Sequence, residues 1–211
     1  MTKVISFIFS ALMAISPFAM AHTDGDAIHA IKQSWVEAKY EKKGKEQAHA
    51  FELLLEDIAR LRQESDLPVA VLDCWEGTSL SSYASAVGGT RALSMVKKAR
   101  GLLENALSAD EQVEDGLALG VLGTLYHKVP SWPIAYRDDK KAQRFLKKAL
   151  DVSPESAHTQ FYYAEYLASK GEKEEAIDRL YGALDAAHQS EDVFAQARGL
   201  EIEEALNKLG G

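Results

Sequence analysis

Apolar residues recur along this chain at spacings of three and four, the period of a helix face rather than of a strand. Three segments align without gaps: KKARGLLENAL at 97–107, KKAQRFLKKAL at 140–150 and EEAIDRLYGAL at 174–184. They share one register: Ala99, Leu103, Ala106 and Leu107; Ala142, Leu146, Ala149 and Leu150; Ala176, Leu180, Ala183 and Leu184. Such spacings put all four residues on one face, and the alanines let a neighbouring helix approach closely. Residues 26–64 read as a helical hairpin turned at Lys43-Gly44, with Trp35, Ala38 and Tyr40 before the turn and Ala48, Phe51 and Leu55 after it. LPVAVLDCWEGTSLSSYASAVGG predicts a helix stopped at Gly88-Gly89, partnered by TRALSMVKKARGLLENAL. SEDVFAQARGLEIEEALNKL predicts a last helix with an acidic outer face, as suits a cap. No alternation of useful length suggests a strand.

The last two copies lie 34 residues apart, the period of the tetratricopeptide repeat. Ala164, Leu167, Gly171, Ala176, Leu180 and Ala183 fill that repeat's small, large and turn positions. In the preceding repeat Leu122, Gly123 and Tyr126 serve the first helix and Ala142, Leu146 and Ala149 the second, which Pro154 ends. Gly123 and Ala142 are nineteen positions apart, whereas Ala164 and Ala176 are twelve apart, so seven residues are inserted. They fall within KVPSWPIAYRDD at 128–139, which predicts an extended interhelical turn with Asp138 or Asp139 capping the next helix. Pro130 and Pro133 restrict the backbone around Trp132. The predicted fold is all-α: tetratricopeptide-like antiparallel helical hairpins stacked as a short right-handed solenoid with a C-terminal capping helix. One helical-repeat domain covers 22–211, with its clearest repeats at 112–154 and 155–188.

Residues 1–21 stand apart from that core. Lys3 precedes the apolar run VISFIFSALMAISPFAM, and Ala19-Met20-Ala21 is a small-x-small cleavage pattern, so a cleaved signal peptide and a periplasmic location are expected. A membrane anchor is the less favoured reading, because the run is short and Pro17 interrupts it. Cleavage takes the 24 basic and 32 acidic residues to 23 and 32, a net charge of −9. That sign disfavours nucleic acid and anionic membrane as partners. The single Cys74, within VAVLDCW, cannot form an internal disulfide and reads as a buried small hydrophobe.

Catalytic signatures are lacking. GLALGVLG at 116–123 has glycines in no phosphate-binding order, and the histidines are dispersed. The reading is therefore of a non-enzyme with no cofactor and no metal. A cleaved N-terminus at His22 could offer an amine and an imidazole to copper, but a frayed polar terminus is the favoured reading. GEKEEA and EIEEA read as solvated faces. Aromatics remain as candidate partner- or ligand-binding residues: Trp75, Tyr126, Trp132 and Tyr136, with Tyr162, Tyr163 and Tyr166 from FYYAEY. A helix turns through all directions within four residues, so part of FYYAEY is expected on a groove or edge.

The stretch LGTLYHKVPSWPIAYRDDKKAQRFLKKALDVSPES resembles the T-component family of TRAP transporters, whose members carry a similar Pro-x-x-Pro insertion ahead of an Asp-Lys-Ala helix. The likeness is strongest over residues 117–184. It implies an extracytoplasmic tetratricopeptide-type accessory or adaptor protein that binds the periplasmic solute-binding protein of an uptake system, with an oligomer among the family's properties. The family's lipid-bearing cysteine does not follow the apolar run here. Two other expectations stay open: a periplasmic protein holding a hydrophobic small molecule in an aromatic-lined groove, and a general protein-protein interaction scaffold.

Overall fold

A computed structural model describes residues 24–130 and 134–210, and among them all regular structure is helical. The expected signal segment, His22 and Trp132 lie outside the described residues. The α-helices are α1 (Asp24–Val36), α2 (Gly44–Glu64), α3 (Val69–Val87), α4 (Gly89–Ala109), α5 (Leu117–Lys128), α6 (Asp139–Val152), α7 (Ala157–Lys170), α8 (Lys173–Gln189) and α9 (Val193–Leu209). A π-helical turn, Glu37–Glu41, extends α1, and a 3-10 turn, Val113–Gly116, precedes α5.

Consecutive helices pair as α3/α4, α5/α6 and α7/α8, and each pair packs on the next. The repeated Ala-Leu-Ala face makes that packing. Ala99, Leu103 and Ala106 of α4 are buried, as are Ala142, Leu146 and Ala149 of α6 and Ala176, Leu180 and Ala183 of α8. Opposite each leucine the first helix must be small. A Cβ on Gly123 would fall 2.7 Å from Leu146 Cγ, and one on Gly77 would fall 2.8 Å from Leu103 Cγ. The α3/α4 pair, whose periodicity is blurred in the sequence, therefore uses the same glycine-leucine contact as α5/α6. Gly171, at φ 83, makes the tight reversal from α7 into α8, with Glu172 N donating to Leu167 O at 3.0 Å.

Residues 129–138 connect α5 to α6 where two residues suffice between α7 and α8. The insertion is thus an extended turn, as its spacing predicts. Its described part is fastened at several points. Asp138 N donates to Tyr126 O at 2.9 Å, Arg137 N donates to Pro130 O at 3.2 Å, and Tyr136 Oη donates to Val96 O at 2.9 Å. Asp138 caps α6 by accepting from Lys140 N and Lys141 N. Asp139 instead gathers His127, Arg137 and Lys170, tying the insertion to α7.

Phe161, Tyr162, Tyr163 and Tyr166 are all buried, because α7 is packed against α5, α6, α8 and α9, while Phe161 and Tyr162 also border a cleft. The last helix does more than cap the array. It packs against α8 and α7 and also reaches α1 at the other end of the chain. Trp35 of α1 and Trp75 of α3 both meet Phe194 of α9 edge-to-face, at 4.8 and 4.9 Å between ring centroids. Lys32 bonds Asp192, the residue that caps α9. The array closes on itself, and α3, α5 and α7 line up beside this junction.

Candidate functional site

Closure leaves an open cleft of about 360 Å³ among α1, α3, α4, α5, α7 and α9. That is within the roughly 300–1,000 Å³ typical of small-molecule sites. A buried charge lies on its wall: Arg198 of α9, which is 3% exposed. Its side chain lies on the helix face of Phe194, Ile202 and Leu206, at a stride of four residues that keeps it inside. The guanidinium sits 5.1 to 5.6 Å from the rings of Tyr162, Phe161, Trp35 and Phe194. It donates from Nη2 to Tyr162 Oη at 3.0 Å, from Nε to His158 Nδ1 at 3.3 Å, and from Nη1 to Glu201.

Glu201 is the counter-charge. It accepts from Tyr40 Oη at 3.0 Å, pairs with Lys39 at 3.1 Å, and takes the Arg198 bond as well. Burial alone would raise its carboxyl, but Arg198 and Lys39 outweigh burial and hold it below the usual range. Burial likewise works against the Arg198 charge, while the Glu201 carboxylate favours it. Burial pushes the Tyr162 phenol up to about 12. Burial, with Arg198 and Lys32 adding to it, pulls the His158 imidazole well below its ordinary value, so the ring is neutral and its Nδ1 accepts from Arg198. Glu201 belongs to EIEEA, so that run is not a wholly solvated face; Glu203 and Glu204 are exposed as expected.

Local sequence explains how the cleft is shaped. A Cβ on Gly120 would lie 2.5 Å from Tyr162 Cδ2, so this glycine makes room for the tyrosine ring against α5. Within GLALGVLG, Gly120 seats Tyr162 and Gly123 seats Leu146, which is why the run is glycine-rich with no phosphate to hold. On α3, Thr78, Ser81, Ser82 and Ser85 line the cleft at spacings of three and four, a hydroxyl stripe on one helix face. Leu93 and Val96 of α4, Val121 and Leu125 of α5, and Val129 and Pro130 of the insertion supply apolar wall.

Of the aromatics singled out from sequence, Tyr162 lines this cleft. Trp75 lines a second, smaller cavity of about 230 Å³ beside His158, Phe194 and Glu114. Glu114 and Asp115 there hold left-handed backbone at φ 49 and 51, and burial raises the Glu114 carboxyl. Such conformations cost roughly 1–2 kcal/mol per residue. Tyr126 and Tyr136 pack on one another at 5.4 Å beside Arg100 and Phe145, outside the cleft. Tyr163 stacks on Tyr166, and Tyr166 meets His127. Trp35, Lys39, Arg198 and Glu201 also line the cleft and were not among the candidates read from sequence. The sequence signal for Arg198 is an arginine within the apolar stripe of α9.

Cys74 is fully buried and its thiol is pushed up by burial, as a small hydrophobe's would be. No group of three His, Cys, Asp or Glu side chains among the described residues is arranged to hold a metal. No helix among the described residues is long and apolar enough to cross a membrane. Comparison with protein-family models and with curated proteins finds no match for this chain.

Proposed function

We propose that this chain is a non-enzymatic extracytoplasmic binding protein whose closed helical array holds a small ligand in the cleft around Arg198. The observation that carries the reading is the cleft itself: a concave space of about 360 Å³ with apolar walls and a few convergent polar groups. This favours a small molecule over a broad protein-docking face. Native mass spectrometry of the protein purified from its own compartment tests it. The expected result is a co-purifying small molecule, absent from a Ser82→Trp variant that fills the cleft. An empty wild-type protein, with no thermal stabilisation by a chemically mixed ligand library, would sink the proposal.

A second reading places the protein as an accessory subunit beside a solute-binding partner, as the T-component resemblance implies. The insertion after α5 favours it, since the resemblance is densest there and Val129 and Pro130 line the same cleft. A partner docked on the insertion would meet the ligand. Co-elution of the mature protein with a periplasmic solute-binding protein is the expected outcome. Passage of the two as separate peaks under gentle conditions removes this reading and leaves the first untouched.

A further inference from the structure

The cleft has an uneven charge. Lys39, Lys128 and Arg198 bring three positive charges to it, and Glu165 and Glu201 bring two negative ones. The carboxylates are already engaged: Glu165 by Lys128 at 2.8 Å, and Glu201 by Lys39, Tyr40 and Arg198. One positive charge is left over, in a protein whose formal net charge is −8.

Hydrogen-bonding capacity is uneven in the same sense. A guanidinium has five N–H groups. Arg198 spends three of them on His158, Glu201 and Tyr162. The Trp35 indole N–H is buried and has no acceptor among the described residues. The Tyr162 oxygen accepts from Arg198, and no described residue accepts the phenol's own proton. Trp35 and Tyr162 are 2% and 8% exposed, and both rings lie within 5.5 Å of the Arg198 guanidinium carbon. Donors without acceptors and a surplus positive charge therefore gather at one place, and a buried donor left unmet is destabilising.

The apolar wall comes from other helices. Leu93 and Val96 belong to α4, Val121 and Leu125 to α5, and Val129 to the insertion. The donors belong to α1, α7 and α9. Head and body of a ligand are thus recognised by separate elements.

Resting on the small-ligand reading above, we infer that the cleft binds an amphiphilic monoanion. A single carboxylate-like head takes the free N–H and O–H groups of Arg198, Trp35 and Tyr162, and an apolar body lies along α4 and α5. A second carboxylate would have no second surplus charge to meet, so dicarboxylates are disfavoured. A cation of the same shape would meet these donors and a positive charge, so it is disfavoured.

Isothermal titration of the mature protein with probes below their micelle-forming concentrations tests this. The probes are hexanoate, octanoate and decanoate, together with decanol, decyltrimethylammonium, succinate and gluconate. Decanoate is expected to bind at least tenfold more tightly than decanol, since hydrogen bonds to charged groups contribute about 1.5–3 kcal/mol. Affinity should rise roughly fourfold per methylene from hexanoate to decanoate, the value for burying each CH₂. Decyltrimethylammonium should show no heat of binding. Tyr162→Phe should weaken decanoate while leaving decanol unchanged, and Ser82→Trp should abolish both.

Equal binding of decanol and decanoate, both blocked by Ser82→Trp, overturns the anion assignment but leaves the small-ligand reading standing. Tighter binding of succinate or gluconate than of decanoate overturns it in the same way. Silence from every probe, in a protein that is also empty by native mass spectrometry, removes both.

Discussion

Trp35 in the first helix and Phe194 in the last pack edge-to-face, with ring centroids 4.8 Å apart and planes 80° from parallel. Phe194 also touches Trp75 at 4.9 Å and His158 at 4.1 Å, so one ring joins α1, α3, α7 and α9. The contact converts a row of hairpins into a closed body, and the cleft exists because of it.

Phe194→Ala should therefore do more than thin the core. Phe194 is 2% exposed, and truncation of a buried Phe costs about 3–5 kcal/mol. Urea denaturation should show a loss of that size. Limited proteolysis should then cut α1 away before the α5–α8 region. Cleavage with no such order would mean that the closing contact is not what holds α1.

The glycines of the repeat make a sharper, paired prediction. Gly123→Ala places a Cβ 2.7 Å from Leu146 Cγ and 3.2 Å from the Ala142 carbonyl, an overpacking expected to cost about 1–3 kcal/mol. Gly101→Ala, in mid-α4 with nothing within 4 Å, should instead stabilise by up to about 1 kcal/mol. Thermal melts of the two variants should move in opposite directions.

Arg198→Met removes one partner of a buried ion pair and leaves Glu201 with Lys39 and Tyr40 alone. Deleting one member of such a pair costs roughly 3–5 kcal/mol. Chemical denaturation should show a drop in that range, and the double variant Arg198→Met with Glu201→Gln should recover part of it. A double variant no better than the single would mean that the pair is not coupled.

Asp139 gives the pH dependence. Lys170, followed by Arg137 and His127, holds its carboxyl far below the usual carboxylate range. A folded-state value below the unfolded one contributes stability that is complete above the unfolded value of about 3.9 and disappears as pH falls through the folded one. At pH 7 Asp139→Asn should melt below wild type. The gap should shrink steadily as the medium is acidified below pH 4. Because Asp139 is well exposed, the shift should be modest.

How the sequence disclosed some of this and hid the rest follows from the range of each interaction. The Ala-Leu-Ala register marked the buried faces of α4, α6 and α8, and the count from Gly123 to Ala142 marked the insertion, because both are local and periodic. FYYAEY was legible only in part: helix geometry tells which directions side chains point, not what waits there, and α7 buries all four rings while Phe161 and Tyr162 border the cleft. Arg198 was legible only as a charge on an apolar stripe, and the Ser/Thr face of α3 only as a polar one.

The amino-acid sequence by itself determined that the described chain is helical, where its helices turn, and which face of each repeat is buried. Periodicity, glycine and proline suffice for that, since they act within a few residues. The meeting of α1 with α9, the enclosure of Arg198 by rings from three helices, and the cleft that results were decided by tertiary structure alone. They join residues as far apart as Trp35 and Phe194, and no local pattern encodes how many turns of stacking bring two ends together.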